Sequence, residues 1–96
     1  MRNSFSFSQN KNPKTPVDVL FYYSGSDDYA RPVSVRWNDE EYNLGTVQFW
    51  HTEHRKGVLV HHYTVSDAVG DLTFELSMET DNLTWRLERV VSQDAS

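Results

Sequence analysis

The chain has 96 residues, 38% of them hydrophobic, which is enough for one domain with a modest core. It contains no cysteine, and this excludes disulfides, thiolate metal sites and thiol nucleophiles. Residues 17–91 contain thirteen acidic and six basic residues, a formal net charge of −7. A negative charge of this size opposes non-specific binding to phosphate backbones. No apolar run reaches membrane-spanning length and residues 1–16 lack the apolar stretch of a secretory signal, so we expect a cytoplasmic protein without membrane contact.

Residues 1–16 are rich in Asn, Ser, Lys and Gln and end in two prolines, a composition typical of a flexible N-terminal arm. Phe5 and Phe7 are its apolar features; either they have no role, or they cover a sheet edge or dock on a partner. The first strand is predicted over Val17–Tyr23, where both faces are largely apolar. A turn-forming loop, Ser24–Ala30, follows it.

The stretch Arg31–Trp50 organises the rest of the chain. Val33, Val35 and Trp37 alternate with polar residues, as in a half-buried strand, and the four polar residues 38–41 are predicted to turn the chain. After Gly45 the apolar phase slips by one residue, to Val47 and Phe49. Such a slip at a glycine indicates a β-bulge or corner, where a sheet bends around its core.

The second half repeats short strands and polar connections. We expect a loop at Thr52–Gly57, strands at Val58–Val65, Leu72–Glu79 and Thr84–Val91, and a polar tail at residues 92–96. No segment of helical length shows amphipathic spacing. The sequence therefore predicts an all-β fold: one small domain, residues 17–91, with about six antiparallel strands in a strongly bent sheet or small barrel.

The aromatic residues suggest where a partner could bind. Trp37 and Trp85 are in phase with core positions, whereas Trp50 is out of phase with Val47 and Phe49 and is the best candidate for a surface aromatic. We expect a non-enzymatic binding or accessory module that contacts protein partners, as a monomer or weak homodimer. The candidate binding residues are Trp50, Tyr63, His61, Arg36 and Arg86.

Two other functions remain open. Aromatic rings beside arginines could hold single-stranded nucleic acid, although ion pairing with Glu75, Glu79 and Glu88 also accounts for the arginines. His51, His54 and His61 could form a metal site if the two strands pair. No motif of a hydrolase, phosphate-binding loop or metalloprotease is present, so we expect no cofactor and no catalytic residue.

The order of motifs resembles a family of small uncharacterised bacterial β-proteins. The resemblance lies in Pro32-Val-Ser-Val-Arg-Trp37, Val47-Gln-Phe-Trp50, Thr73-Phe-Glu-Leu76 and Thr84-Trp-Arg-Leu-Glu-Arg-Val90. Members of that family occur alone or associated with Y-family (translesion) DNA polymerases. The resemblance implies an accessory module linked to DNA repair, and it implies no catalytic residue.

Overall fold

The computed structural model describes residues 15–26 and 29–92, and these residues form antiparallel strands joined by turns. In chain order the strands are β1 (Thr15–Pro16), β2 (Asp18–Ser24), β3 (Tyr29–Trp37), β4 (Glu40–Arg55), β5 (Val58–Asp67), β6 (Leu72–Glu79) and β7 (Thr84–Ser92). They form one sheet in the order β1-β7-β6-β5-β4-β3-β2. The all-β, antiparallel fold predicted from the sequence is confirmed. Among the described residues, no helix is long and apolar enough to cross a membrane.

The sheet is strongly curled, as the positions of β1 and β2 show. Val17 alone separates these two strands, yet β1 pairs with β7 and β2 pairs with β3 at the opposite end of the sheet. The Val17 backbone nitrogen donates a hydrogen bond to the Trp85 carbonyl oxygen at 3.2 Å. A flat sheet with this strand order would separate its two edges by roughly 29 Å, so only a half-barrel brings them together.

The long strand β4 makes the corner of this half-barrel. Its first part, up to Asn43, pairs with β3, and the part from Leu44 onwards pairs with β5. The β4–β5 register shifts between Leu44 and Val47 and again between Val47 and Phe49. A Cβ atom at Gly45 would lie 3.4 Å from the Asp67 carbonyl oxygen, so the absence of a side chain lets β4 approach β5 closely. The bulge predicted at Gly45 is confirmed.

The core lies on the concave face of the curled sheet. Trp37 and Trp85 are half-buried against it, as their phase predicted. Its buried members come from β3 to β7: Val35, Leu44, Val65, Phe74, Leu76, Leu87 and Val90. We call this side of the sheet the core face and the opposite side the outer face.

Two predicted turns are shorter in the structure than the sequence pattern indicated. The β3–β4 turn consists of Asn38 and Asp39, with φ of 58° and 63°, so the predicted turn over residues 38–41 was too long. The predicted loop Thr52–Gly57 is wrong: β4 continues to Arg55, and Lys56 and Gly57 turn the chain with φ of 53° and 83°. Positive φ at both residues is the pattern of a type I′ hairpin turn, whose twist matches that of the flanking strands.

The ends of the domain extend slightly beyond the predicted bounds. Thr15 and Pro16, assigned to the arm, pair with Leu87 and Arg86. Strand β7 runs to Ser92, one residue into the predicted tail. The rest of the arm, with Phe5 and Phe7, and residues 27–28 and 93–96 lie outside the described residues.

Candidate binding surface

Residues 47–55 of β4 form an open strand edge. They pair with β5 on one side, whereas the pairing of β4 with β3 ends at Asn43. No described strand pairs with residues 47–55 on their other side. We call this segment the β4 edge. An edge of this kind presents a row of backbone N–H and C=O groups that another strand can pair with.

Apart from the register shift between Val47 and Phe49 at its start, the β4 edge has few of the devices that commonly protect such edges. It contains no proline and no lysine, and its formal charges lie at its end, at Glu53 and Arg55. Those two side chains neutralise each other, with Arg55 Nη2 2.9 Å from Glu53 Oε2. Phe49 and Trp50 in its centre are 57% and 52% exposed. The edge is therefore uncharged and aromatic where it is most open.

Phe49 and Trp50 lie on opposite faces of the sheet. Directly paired residues share a face, and Trp50 pairs with Tyr63 on the core face whereas Phe49 pairs with Thr64 on the outer face. The inward position that the alternation predicted for Phe49 is wrong, because the register shift after Val47 turns it outward. A strand added at the β4 edge would meet one large aromatic ring on each face.

Trp50 is held in place by His61. The indole Nε1 donates a hydrogen bond to His61 Nδ1 at 3.0 Å, so the neutral imidazole carries its proton on Nε2. Their rings stack with centroids 5.8 Å apart, and His61 stacks in turn on Tyr63 at 6.4 Å. Tyr63, which also contacts Trp85 at 5.8 Å, is only 6% exposed. Tyr63 thus belongs to the interior and offers no open surface to a partner, and Trp50 is the exposed end of an aromatic row.

The outer face of the same hairpin carries a second ring pair. His51 and His62 stack with centroids 4.7 Å apart, and His62 Nε2 lies 3.5 Å from Glu53 Oε1 without a hydrogen-bond partner. Burial lowers the pKa of His62, and the opposing attraction of Glu53 is smaller. The hydrogen bond from Arg55 holds the pKa of Glu53 below its usual range.

The three predicted metal ligands do not converge. His51 lies on the outer face, whereas His54 and His61 lie on the core face, as Trp50 does. No group of three His, Asp or Glu side chains suited to a metal ion occurs within residues 15–26 and 29–92.

The predicted basic residues are also separated from Trp50. Arg36 is exposed on the outer face of β3. Glu41 of β4 and Asp18 of β2 lie directly opposite it on the two neighbouring strands. Arg86 lies on the outer face of β7, with Nε 3.7 Å from Glu79 Oε2, in the ion pairing that the sequence pattern indicated. The structure therefore places Trp50 and His61 together and leaves Arg36 and Arg86 on the opposite face.

An open cleft of about 350 Å³ lies beside the corner of β4. It is lined by Arg31, Leu44, Gly45, Thr46 and Val47, where β3 diverges from β4. Its lining residues do not include a nucleophile paired with a base.

Comparisons with known protein families, curated proteins and solved structures find no match to this chain.

Proposed function

We propose that this chain is a non-enzymatic protein-binding module whose partner adds an extended strand at the β4 edge. The observation that carries this proposal is a strand edge that is open over residues 47–55 and exposes an aromatic ring on each face. Strand addition needs these two features: free backbone groups give affinity, and side chains at alternating positions give specificity.

Phe49 and Trp50 would supply most of the side-chain contribution. Complete burial of a large apolar side chain contributes about 1.5–3 kcal/mol, so removing the exposed half of each ring from water contributes about 1 kcal/mol. Because His61 already fixes the indole, little rotamer freedom is lost when a partner contacts Trp50. Aromatic anchors of this kind are typical of binding hot spots.

Nucleic-acid binding is the less favoured alternative. Stacking on Trp50 would need cations nearby for the phosphates, and Arg36 and Arg86 lie on the other face of the sheet. The acidic character of the domain opposes it as well. The resemblance to polymerase-associated proteins makes a repair polymerase one protein partner to test.

Site-specific photo-crosslinking tests the proposal. A photoreactive amino acid replaces Phe49 in the full chain, and the matched control replaces Val69, which is 76% exposed on the turn between β5 and β6. We expect adducts of defined mass from position 49 in a lysate and none from position 69. Equal labelling at both positions, or no adduct at position 49, would contradict strand addition at this edge.

A further inference from the structure

We infer that the strand added at the β4 edge comes from a second copy of this chain, paired antiparallel about a two-fold axis at Trp50. This inference rests on the proposed strand addition and names its partner. A symmetric dimer requires a surface that is complementary to itself. The β4 edge has that property in its sequence.

The residues around Trp50 form a near-palindrome of chemical types. Two aromatic rings flank the indole, Phe49 before it and His51 after it, and Gln48 and Thr52 flank those rings. In an antiparallel pair centred on Trp50, the two indoles face each other and each Phe49 faces the other copy's His51. Each Gln48, at the register shift of β4, then lies near Thr52, and beyond these residues each Val47 lies opposite Glu53. Residues of similar type therefore face each other over residues 48–52 and not beyond them.

The faces of the sheet agree with this register. The two Trp50 rings would meet on the core face, at the exposed end of the row through His61 and Tyr63. On the outer face, each Phe49 would extend the existing stack of His51 on His62. Aromatic pairs directly across strands are among the more favourable cross-strand contacts.

The symmetric register centred one residue later, on His51, is poorer. Moving the axis to His51 places each Phe49 opposite Glu53 and each Trp50 opposite Thr52. Apolar rings then face a carboxylate and a hydroxyl in place of other rings. The axis at Trp50 therefore keeps the aromatic residues paired.

Charge favours a second copy over a basic partner at this place. Residues 46–52 contain no Asp, Glu, Lys or Arg, and Glu53 and Arg55 pair within their own chain. A basic segment would find no local anion in the centre of the edge. Because the two copies share a negative net charge, added salt should strengthen their association by screening the long-range repulsion. Binding of a basic partner would show the opposite dependence on salt.

A charge-pair experiment tests the axis. Sedimentation equilibrium is measured for the full chain, for Trp50→Glu, for Trp50→Lys and for an equimolar mixture of the two variants. We expect a concentration-dependent dimer for the parent chain and monomers for each variant alone, since like charges would face each other across the axis. The mixture should recover the dimer mass, because the introduced carboxylate and ammonium then lie opposite each other. Tyr23→Glu, on the distant strand β2 and 63% exposed, is the matched control and should remain dimeric.

Each other outcome contradicts a defined part of the inference. A monomeric parent chain at all salt concentrations overturns the second copy as partner. If position 49 then still crosslinks to a different protein, strand addition survives, and if it gives no adduct, both proposals fail. If the mixture of the two variants stays monomeric while the parent chain alone is dimeric, the two-fold axis does not lie at Trp50. Circular dichroism of each variant confirms that loss of the dimer does not come from unfolding.

Discussion

His51 and His62 stack almost parallel across β4 and β5, with ring centroids 4.7 Å apart and planes inclined by 9°. His62 is the more buried of the two, and its Nε2 atom has no hydrogen-bond partner, although Glu53 Oε1 lies 3.5 Å away. The charged groups that act on it are His51, Glu53 and Arg55 from β4 and Glu88 from β7. Burial outweighs the two carboxylates, so the pKa of His62 lies below its ordinary value of 6.5.

Stability should therefore fall as the solution becomes mildly acidic. Below about pH 6.5 the unfolded chain binds a proton at His62 that the folded chain does not bind until a lower pH, and this difference favours unfolding. We expect the free energy of unfolding in urea to decrease as the pH falls through this range, and His62→Gln to reduce that slope. An NMR titration that places the pKa of His62 above 6.5 would contradict this account.

The hydrogen bond between Trp50 and His61 should be visible in the indole N–H resonance. His61→Phe keeps a ring for stacking but removes the Nδ1 acceptor, so the Trp50 indole proton should move upfield and exchange faster with water. The expected loss of stability is about 0.5 kcal/mol, the low end for a hydrogen bond, since Trp50 is half exposed. Trp50→Phe assigns the resonance. An unchanged resonance in His61→Phe would show that His61 does not hold the indole.

Asp67 should be the most sensitive polar residue of the β5–β6 connection. Its side chain is 7% exposed, and Oδ1 accepts hydrogen bonds from the backbone N–H groups of Gly70 at 2.8 Å and Leu72 at 3.2 Å. Asp67→Ala removes this acceptor from Leu72, whereas the Gly70 N–H keeps its hydrogen bond to the Asp67 carbonyl oxygen at 3.0 Å, so the free energy of unfolding should fall by about 1 kcal/mol. Asp67→Asn keeps an oxygen acceptor and should cost less. Chemical denaturation of both variants tests this order.

Tyr42 should ionise at unusually high pH. Burial and the hydrogen bond that its hydroxyl donates to Glu40 Oε1 at 2.8 Å raise the pKa of Tyr42 to about 12. The unfolded chain loses this proton near pH 10, so stability should fall as the pH rises from about 10 to about 12. Ultraviolet titration should show a late tyrosinate step that is absent in Tyr42→Phe and shifted to lower pH in Glu40→Gln. A titration without a late step would contradict the effect of burial.

Alternation of apolar residues was sufficient to predict most of the fold. It located the strands that contain Val35, Val65 and Phe74, because their core-facing residues recur at every second position, although Val60 and Ser77 on the outer face are buried as well. The bend at Gly45 was predictable as well, since the slip of phase records the bulge directly. Trp50 is exposed, as predicted, but the outward phase predicted for it is wrong: it lies on the core face, and its exposure comes from the open β4 edge.

The β4 edge could not be predicted by this reasoning. Thr52–Arg55 has no apolar alternation because all four residues are polar, so a strand there has the composition of a loop. The signal that could have identified it is Lys56-Gly57, a pair that suits a two-residue turn between strands. Tyr63 was assigned to the surface because its strand is apolar on both sides and pattern alone does not distinguish them.

The Lys56-Gly57 turn should control the order of the β4 edge separately from the core. Gly57 has φ of 83°, a conformation that costs a residue with a side chain about 1–2 kcal/mol, so Gly57→Ala should loosen the hairpin end. The pairing of β5 with β6 begins at Val60, and the Leu59 carbonyl oxygen accepts hydrogen bonds from Thr80 N at 3.0 Å and Thr80 Oγ1 at 2.8 Å, so residues 52–58 depend mainly on their own ladder. We expect Gly57→Ala to accelerate amide exchange in residues 52–58 while exchange in the core strand β6 stays nearly unchanged.

Gly25 is the control for this substitution, because its φ is not positive and an added Cβ would meet only the Tyr23 ring, at 3.8 Å. Gly25→Ala should leave exchange at the β4 edge as in the parent chain. If the second-copy inference is correct, Gly57→Ala should also weaken the dimer, since a frayed strand must be ordered before it can pair. Uniform acceleration of exchange across β6 and β7 would instead show that the turn stabilises the whole sheet, and that the β4 edge does not fold as a separate unit.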